Sequence, residues 1–333
     1  MYTKYMIETT LCNEKSTWDN IVNTFGGHPL QLWGWGEVKS AHNWQVQRII
    51  ITDDDEVIGA AQILLRSLPK PLNRLCYIPR GPVCQQGREA EVLAAIADYT
   101  KQNLPCVALT IEPDTENPPQ AKGWRHSKNT ILLPQTLILD LSKTTDELLS
   151  AMTKKTRQYI RKSSRTGLTI KQIKSHSGIA ACLDIYRQTA SRAGFALHND
   201  KYYYDIHDKL GKYSQIFAAY EDDKPVSFLW LAVSSQTSFE LYGGMNQRGQ
   251  ALRANYTLKW HAITKCKEQG IERYDLNGLL NDGISNFKRG FASHEDTLAG
   301  AYDYPMNAFY PVWNYGLPFA KKIVRGAKKL LGK

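Results

Sequence analysis

The sequence lacks the cysteine patterns that mark metal-binding or disulfide-rich proteins. Its 333 residues include six cysteines, and none forms a CxxC pair or stands at zinc spacing with histidines. We therefore expect buried free thiols and no metal ion. The cysteines are Cys12, Cys76, Cys84, Cys106, Cys182 and Cys266.

Long apolar runs and an export signal are also missing. No run approaches the roughly 18 apolar residues that a membrane-spanning helix needs. The first residues, MYTKYMIETTLCNEK, do not combine a basic start with an apolar block, as a signal peptide would. These features predict a cytoplasmic protein.

The composition predicts a folded, basic chain of two domains. Hydrophobic residues make up 42% of the sequence, so an ordinary core is expected, and 333 residues suit two domains better than one. The net charge of +10 favours a polyanionic partner. Nucleic acid, nucleotide phosphates and an anionic membrane surface all fit, and the charge alone does not choose among them.

The hydropathy pattern predicts an α/β (α+β) fold of two successive units with similar order, in which helices cover a mixed sheet. The first boundary is expected near Pro134, where the polar stretch Glu116–Lys128 gives way to a new strand. The predicted strands are Gln45–Thr52, Val57–Leu65, Cys106–Glu112, Thr136–Leu141, Ile216–Tyr220, Pro225–Val233, Ser238–Gly243 and Arg273–Leu276. The predicted helices are Arg88–Gln102, Thr145–Ser164, Ala180–Ala193, Lys201–Leu210 and Ala254–Gln269.

The C-terminal segment PFAKKIVRGAKKLLGK predicts a basic amphipathic helix. Such a helix can lie on an anionic membrane. It can equally dock on the first domain, with its lysines solvated, and the two interpretations are compatible.

The loop Met245–Arg253 carries Asn246-Gln247-Arg248-Gly249-Gln250-Ala251, between a strand and a helix. This order is close to the Q/R-x-x-G-x-G/A cradle in which GNAT acyltransferases hold a pyrophosphate on backbone N–H groups. The first position differs, because it is Asn246. A simple glycine-containing turn explains the loop equally well.

Three motifs follow one another after this loop. They are Ala254-Asn255-Tyr256-Thr257-Leu258-Lys259-Trp260, then Tyr274-Asp275-Leu276-Asn277-Gly278, then Phe287-Lys288-Arg289-Gly290-Phe291. Earlier segments add Leu32–Lys39, Tyr77–Val83 and Thr153–Lys162 followed by Gly167–Ile170. In this order the motifs resemble the Fem family of non-ribosomal peptidyl transferases. The chain is similar to its shorter members, because no heptad run for a coiled-coil arm lies between Leu168 and Tyr213.

The resemblance implies two tandem GNAT-like domains, the first spanning 1–134 plus about 300–333 and the second 135–299. It implies a transferase without a cofactor, which moves an amino acid from aminoacyl-tRNA to the side-chain amine of residue 3 in the stem peptide of a peptidoglycan precursor. The acceptor is lipid II or UDP-MurNAc-pentapeptide. This aminolysis needs no serine or cysteine nucleophile, and the sequence has no G-x-S-x-G motif.

The resemblance also implies catalytic residues. Lys288 matches the lysine beside the reacting ends, where a cation stabilises the oxyanion or the leaving ribose oxygen. Glu112 occupies an acidic position and would attract the acceptor amine or take its proton. A neutral amine that attacks directly, with the leaving oxygen as base, is the alternative. Asp275 is expected to cap the turn that follows it.

Three residues match family positions that hold the UDP-sugar and its phosphates, namely Lys39, Tyr203 and Tyr256. Tyr203 stands in a run of three tyrosines, which allows a slip of one residue. The arginine that often precedes it is replaced by His198-Asn199-Asp200-Lys201, and this departure leaves lipid II open as the acceptor.

The most basic predicted helix places Lys154, Arg157, Arg161 and Arg165 on one face. Such a face can bind the phosphates of a tRNA acceptor stem, or it can be a solvated surface. Two other functions remain open at this stage. One is a GNAT-fold N-acyltransferase that uses acetyl-CoA, and the other is a non-catalytic module that binds RNA or a membrane.

Overall fold

The computed structural model describes residues 7–280 and 282–316. The basic C-terminal segment, for which an amphipathic helix is expected, lies outside the described residues. The described chain forms two compact units. Unit 1 contains the residues up to Phe25, then Leu30–Pro134 and the residues from Thr297 onward, while unit 2 contains Gly26–Pro29 and Gln135–Asp296.

Strands and helices alternate along both units. The strands are β1 Ile7–Leu11, β2 Gln45–Asp53, β3 Glu56–Ser67, β4 Arg74–Pro79, β5 Val83–Cys84, β6 Ala108–Glu112, β7 Arg125–His126, β8 Gln135–Thr136, β9 Ile138–Asp140, β10 Thr169–Ile173, β11 Ser214–Glu221, β12 Lys224–Val233, β13 Thr237–Met245, β14 Arg273–Asp275, β15 Asp296–Thr297 and β16 Tyr302–Pro305. The α-helices are α1 Lys15–Thr24, α2 Trp33–Ser40, α3 Glu89–Asn103, α4 Thr145–Ala151, α5 Lys154–Ser163, α6 His176–Ala193, α7 Asp200–Leu210, α8 Gln247–Leu252, α9 Ala254–Glu268 and α10 Gly283–Arg289.

Unit 1 is built on a sheet of order β1-β2-β3-β4-β6-β16-β7, with β5 beside β3. The pair β4–β6 is parallel, and its neighbours in the sheet are antiparallel. Helix α3 connects the two parallel strands and buries Val92, Leu93 and Ile96 against the sheet. Strand β16 adds the C-terminal end of the described chain to this sheet, next to β6.

Unit 2 has a sheet of order β10-β11-β12-β13-β14-β9, in which β13 and β14 are parallel. Strand β12 is buried almost along its whole length, as a central strand requires. Residues Leu229, Leu231 and Val233 on one face of it join the core that α9 forms with Leu258, Ala262, Ile263 and Cys266.

The same order of elements occurs in both units. A strand and two helices lead into a three-stranded antiparallel meander, and a helical connection then leads to a strand parallel to the last one of the meander. The first unit runs from β1 to β6, and the second from β10 to β14. The predicted α/β fold with two successive units of similar order is therefore confirmed.

The predicted helix Thr145–Ser164 is wrong as a single element. It consists of α4 and α5, because Thr153 adopts an extended backbone and caps the second helix, accepting a hydrogen bond from the Thr156 amide at 3.2 Å. The predicted strand Thr136–Leu141 is likewise split into β8 and β9. The loop Met245–Arg253 contains the short helix α8.

Gly290, in the motif Phe287–Phe291, lies where α10 meets the start of α5. Its carbonyl accepts a hydrogen bond from the Thr153 amide at 3.0 Å, and a Cβ at this position would collide with Oγ1 of Thr156. The glycine is therefore needed for a close contact between two segments.

We predict that Gly290→Ala destabilises unit 2 by about 1–3 kcal/mol, because the added methyl overpacks this contact. The measurement is the midpoint of urea unfolding. Gly283→Ala is the matched control, since a Cβ there meets only open space. In a Gly290→Ala/Thr156→Ala double variant, which lacks the opposing hydroxyl, part of the lost stability should be recovered. Equal unfolding midpoints for Gly290→Ala and wild type would contradict the prediction.

Candidate active site

A pocket of about 850 Å³ lies within unit 2. Its walls come from residues 227–229 and 240–245 of β12 and β13, from the C-terminal part of α6, from the start of α9, and from residues between Asn277 and Lys288. Apolar side chains such as Phe228, Tyr242 and Leu258 form much of the lining. The volume and lining are those of a site for a small organic ligand.

A β-bulge opens the sheet at this pocket. Leu231 of β12 pairs with Glu240, whereas the preceding Trp230 pairs with Tyr242, so Leu241 is an extra residue in β13. Bulges of this kind bend a strand and re-aim its side chains, and they are common beside active sites. Glu240, Leu241 and Tyr242 all line the pocket.

Lys288 lies on α10 and lines the pocket, as its predicted catalytic role requires. Helix α10 begins where Asp282 accepts a hydrogen bond from the Ser285 amide at 2.7 Å. The Lys288 ammonium donates to the carbonyl oxygens of Asn277 and Gly278, each at 3.1 Å. An ammonium has three N–H donors, so these two contacts leave one donor for a ligand.

Burial lowers the pKa of Lys288 from 10.5 to about 8. This value includes a lowering effect of the nearby Lys259 cation and opposing effects of the carboxylates of Glu240, Asp275 and Asp282. The side chain is therefore mainly protonated at neutral pH and loses its charge as the pH rises through about 8.

Behind Lys288 lies a buried ion pair that the sequence analysis missed. Lys259 Nζ donates to both carboxylate oxygens of Glu240 at 2.6 Å, and the Tyr274 hydroxyl donates to the same carboxylate at 2.8 Å. Lys259 and Glu240 are only 4% and 6% exposed. The sequence does contain a sign of this pair. Lys259 shares a helix face with the apolar residues Ala262 and Ile263, and a lysine on a buried face is expected to have a carboxylate partner.

Glu112 ends β6 in unit 1 and is fully buried. Its carboxylate accepts hydrogen bonds from the amides of Ile131 at 2.7 Å and Leu132 at 3.0 Å, and from the Tyr77 hydroxyl. Burial raises the pKa of Glu112, although these hydrogen bonds oppose the shift. Both oxygens therefore hold the loop after β7, and the catalytic role of Glu112 stays a prediction.

Lys39, the predicted phosphate contact, lies in the last turn of α2 in unit 1. Its side chain is half-buried, with Nζ 4.5 Å from the centre of the Trp35 ring. Burial, with a smaller effect from the Arg66 cation, lowers the pKa of Lys39 to about 8. The contact of Lys39 with phosphate stays a prediction.

Neither of the two predicted substrate-binding tyrosines lines the unit 2 pocket among the described residues. Tyr203 is 2% exposed, its ring packs on Tyr242 at 5.2 Å, and its hydroxyl accepts from the His198 amide at 3.1 Å. Tyr256 is half-buried and packs between Tyr159 and Phe287 at 5.0 and 4.9 Å. Both rings contribute to packing, and the contact of these tyrosines with a substrate stays a prediction.

The predicted basic face is smaller than expected. Lys154 and Arg161 are exposed on α5, but Arg157 Nη1 donates to the carbonyls of Ser150 and Met152 at 3.2 and 2.5 Å and so caps the end of α4. Arg165 is exposed but follows the end of the helix at Ser163, so its predicted place on the same helix face is wrong.

Two predicted turns can be compared with the structure. Asp275 accepts a hydrogen bond from the Asn277 amide at 2.7 Å, which confirms that it caps the turn after β14.

In the suspected pyrophosphate cradle, the Gly249 amide donates to the Asn246 side chain at 2.8 Å. This amide is therefore used inside the protein, and a Cβ at Gly249 would collide with the Val226 carbonyl. The glycine-containing turn explains this loop better than a coenzyme A cradle does.

The described residues contain no helix that is both long and apolar enough to cross a membrane.

The chain matches proteins of known family and fold. The FemAB family model matches residues 16–128, 120–224 and 207–316. A lipid II:glycine glycyltransferase of Staphylococcus aureus (strain MSSA476) is 31% identical over 375 residues, covering 84% of this chain and 89% of that protein. The enzyme of the same name from Staphylococcus saprophyticus is 22% identical over 370 residues, covering 85% and 89%.

Solved structures show the same fold. The crystal structure of FemX superposes with a TM-score of 0.80 at 22% identity, covering 90% of this chain and 98% of that one. A tandem GNAT protein from the clavulanic acid biosynthesis pathway gives a TM-score of 0.53 at 11% identity, covering 91% and 99%. The expected tandem GNAT-like fold is thereby confirmed.

We predict that Glu112→Gln destabilises unit 1 by about 1–3 kcal/mol, because an amide nitrogen would face donors that the carboxylate now satisfies. Thermal unfolding measures the loss, and the exposed Glu116→Gln is the control. A variant that unfolds like wild type but is inactive would instead show that Glu112 acts in the chemistry.

Proposed function

The chain belongs to the FemAB family, and we propose that it transfers an amino acid from aminoacyl-tRNA to the side-chain amine of residue 3 in the stem peptide of a peptidoglycan precursor. The product is the interpeptide bridge or its first residue. Two curated relatives are named for glycine and lipid II. These names favour lipid II as the acceptor and glycine as the first donor to test, with UDP-MurNAc-pentapeptide as the second acceptor.

The observation that carries the proposal is the position of Lys288. Its ammonium is fixed by the two carbonyl oxygens of Asn277 and Gly278 at the wall of a pocket of about 850 Å³. A cation held in this way needs no reorganisation when negative charge develops on a ligand. The pocket has room for an aminoacyl ester together with the ribose that carries it.

The reaction is the aminolysis of an ester. The acceptor amine attacks the carbonyl carbon, an N–C bond forms, and the C–O bond to the tRNA ribose breaks. Lys288 stabilises the negative charge on the carbonyl oxygen or on the leaving ribose oxygen. The amine proton finally resides on that ribose oxygen, which leaves as a hydroxyl group, so no protein nucleophile takes part.

The leaving oxygen is a better proton acceptor in this scheme than Glu112. That carboxylate already accepts hydrogen bonds from the Ile131 and Leu132 amides and from the Tyr77 hydroxyl. Taking a proton there would disrupt contacts that hold a loop of unit 1. We therefore assign Glu112 to structure in the proposed mechanism.

Phosphate contacts in the proposal come from exposed or half-buried cations. Lys154, Arg161 and Arg165 are exposed in unit 2 and would meet tRNA phosphates, which requires no base recognition. Lys39 in unit 1 would meet the phosphates of the precursor. The basic C-terminal segment, outside the described residues, is the proposed peripheral contact with the inner face of the membrane, where lipid II is anchored.

We predict that the purified protein extends lipid II when it is given a mixture of aminoacyl-tRNAs. Mass spectrometry of the product identifies the amino acid from the mass gain, and a parallel reaction with UDP-MurNAc-pentapeptide identifies the acceptor. Lys288→Met should reduce kcat by about 10²–10³-fold, because it removes one electrostatic contact with the transition state.

Lys224→Met is the matched control, since Lys224 is exposed at the turn between β11 and β12. It should transfer at the wild-type rate. If wild type extends neither precursor with any aminoacyl-tRNA, the proposed function is wrong. If Lys288→Met keeps full activity, the function stands and the assignment of Lys288 fails.

We also predict a pH dependence that reports on Lys288. The acceptor amine must be neutral to attack and Lys288 must be cationic, so the rise of kcat/KM with pH should level off as the pH passes about 8, the lowered pKa of this side chain. Arginine keeps its charge at any such pH. In Lys288→Arg, whatever activity remains should keep rising as the pH passes about 8, and a levelling-off that persists unchanged would assign it to another group.

A further inference from the structure

We propose that the buried pair Glu240 and Lys259 positions Lys288, by fixing the turn whose carbonyl oxygens hold the Lys288 ammonium. This inference rests on the proposed function of Lys288. It assigns a role in the reaction to Glu240 and Lys259, for which the sequence motifs imply none.

The first step is the link between the pair and the turn. Glu240 lies at the β-bulge of β13, and its main-chain carbonyl accepts a hydrogen bond from Asn277 Nδ2 at 2.9 Å. The Asn277 side-chain oxygen in turn accepts from the Gly278 amide at 2.6 Å. The two residues that contact Lys288 are therefore attached to the strand at Glu240.

The turn needs this support because its backbone is unusual. Asn277 has a φ of 61°, in the left-handed region that non-glycine residues rarely adopt. Asp275 holds the Asn277 amide from one side, and Glu240 holds the side chain from the other. This conformation directs the Asn277 and Gly278 carbonyls to the Lys288 ammonium.

The second step concerns what fixes Glu240. Its carboxylate accepts two hydrogen bonds from Lys259 and one from Tyr274, all between 2.6 and 2.8 Å. Lys259 Nζ also lies 5.2 and 5.5 Å from the ring centres of Phe287 and Phe291. Phe287 immediately precedes Lys288, so the pair contacts the reacting segment from both the turn and the helix.

Stability alone is a poor explanation for this pair. A buried ion pair can often be replaced by apolar residues of similar size without loss of stability, because desolvation offsets the attraction between the charges. Here the pair lies in an otherwise apolar core and beside the pocket. Its position next to Lys288 gives it a function that an apolar pair would not supply.

The third step is electrostatic. Four charged groups influence the pKa of Lys288: Glu240 on β13, Lys259 on α9, Asp275 at the end of β14 and Asp282 at the start of α10. Among the groups that raise the pKa of Lys288, Glu240 has the largest effect, whereas Lys259 lowers this pKa. Removing Glu240 should therefore favour the neutral amine at this site.

The test measures protonation of Lys288 directly. Wild type, Glu240→Gln and Glu240→Gln/Lys259→Met are labelled with acetic anhydride at a series of pH values, and the Lys288 peptide is quantified by mass spectrometry. We expect a midpoint of about 8 in wild type, a lower midpoint in Glu240→Gln and an intermediate one in the double variant. The pair Lys265 and Glu268, exposed on the same helix, provides the matched control Lys265→Met/Glu268→Gln.

Transfer activity and stability are measured on the same variants. Glu240→Gln leaves Lys259 buried without its carboxylate and should unfold more easily, whereas the double variant should recover stability. If the pair positions Lys288, kcat of the double variant should remain below that of wild type, by up to about 10²-fold, although the variant is folded.

A purely structural pair predicts the opposite outcome. If the double variant recovers kcat together with stability, and the Lys288 midpoint does not move in any folded variant, the inference is overturned. The labelling experiment needs no substrate. If wild type fails to transfer while Glu240→Gln still shifts the midpoint, the proposed function is wrong but the coupling of the pair to Lys288 is supported.

Discussion

The candidate site depends on the placement of charge in an apolar environment. Two cations and one carboxylate, Lys259, Lys288 and Glu240, lie at one wall of a pocket whose lining is largely apolar. Burial disfavours the charged form of each lysine, and the Glu240 carboxylate pairs with Lys259. Lys288 is therefore left with carbonyl oxygens as partners, which hold an ammonium without neutralising it. Such a cation remains available to a developing negative charge.

The two units use the same position in the fold in different ways. In each unit a carboxylate ends the strand that is parallel to its neighbour, Glu112 on β6 and Asp275 on β14. Both carboxylates are fully buried and accept a hydrogen bond from a main-chain amide that follows in the sequence. In unit 2 the turn after this strand also supplies the carbonyls that hold Lys288. The acidic residue thus accepts main-chain hydrogen bonds at the same place in both units, and the lysine distinguishes the second unit.

Sequence reasoning predicted what depends on local pattern and missed what depends on distant contacts. Strand β12 follows directly from its apolar run, and the cap at Asp275 follows from the chemistry of its side chain. The break between α4 and α5 was missed, because Thr153 fits a helical pattern as well as a cap. The motif resemblance led to Lys288, which does line the pocket.

The pairing of Glu240 with Lys259 was beyond this kind of reasoning. The two residues are 19 positions apart, and the bulge that aims Glu240 is set by the register between β12 and β13. Tyr203 is a position where motif and periodicity indicate different roles. The motif resemblance assigns it to the substrate, whereas Tyr202, Tyr203, Ile206 and Leu210 have the helical spacing of a buried face, and all four are buried. Periodicity therefore predicts its burial, and its contact with a substrate stays a prediction.

The strand-to-helix turn after β13 explains how a GNAT-like fold can serve a different ligand. At this turn a pyrophosphate would need free backbone amides. Asn246 instead accepts from the Gly249 amide, and Arg192 donates to the Met245 carbonyl at 2.7 Å. At Lys288 the same pocket offers a side-chain cation as the donor in place of backbone amides. A single directed ammonium suits a reaction in which charge develops on one carbonyl or ribose oxygen, and it is less suited to hold the two phosphates of a coenzyme.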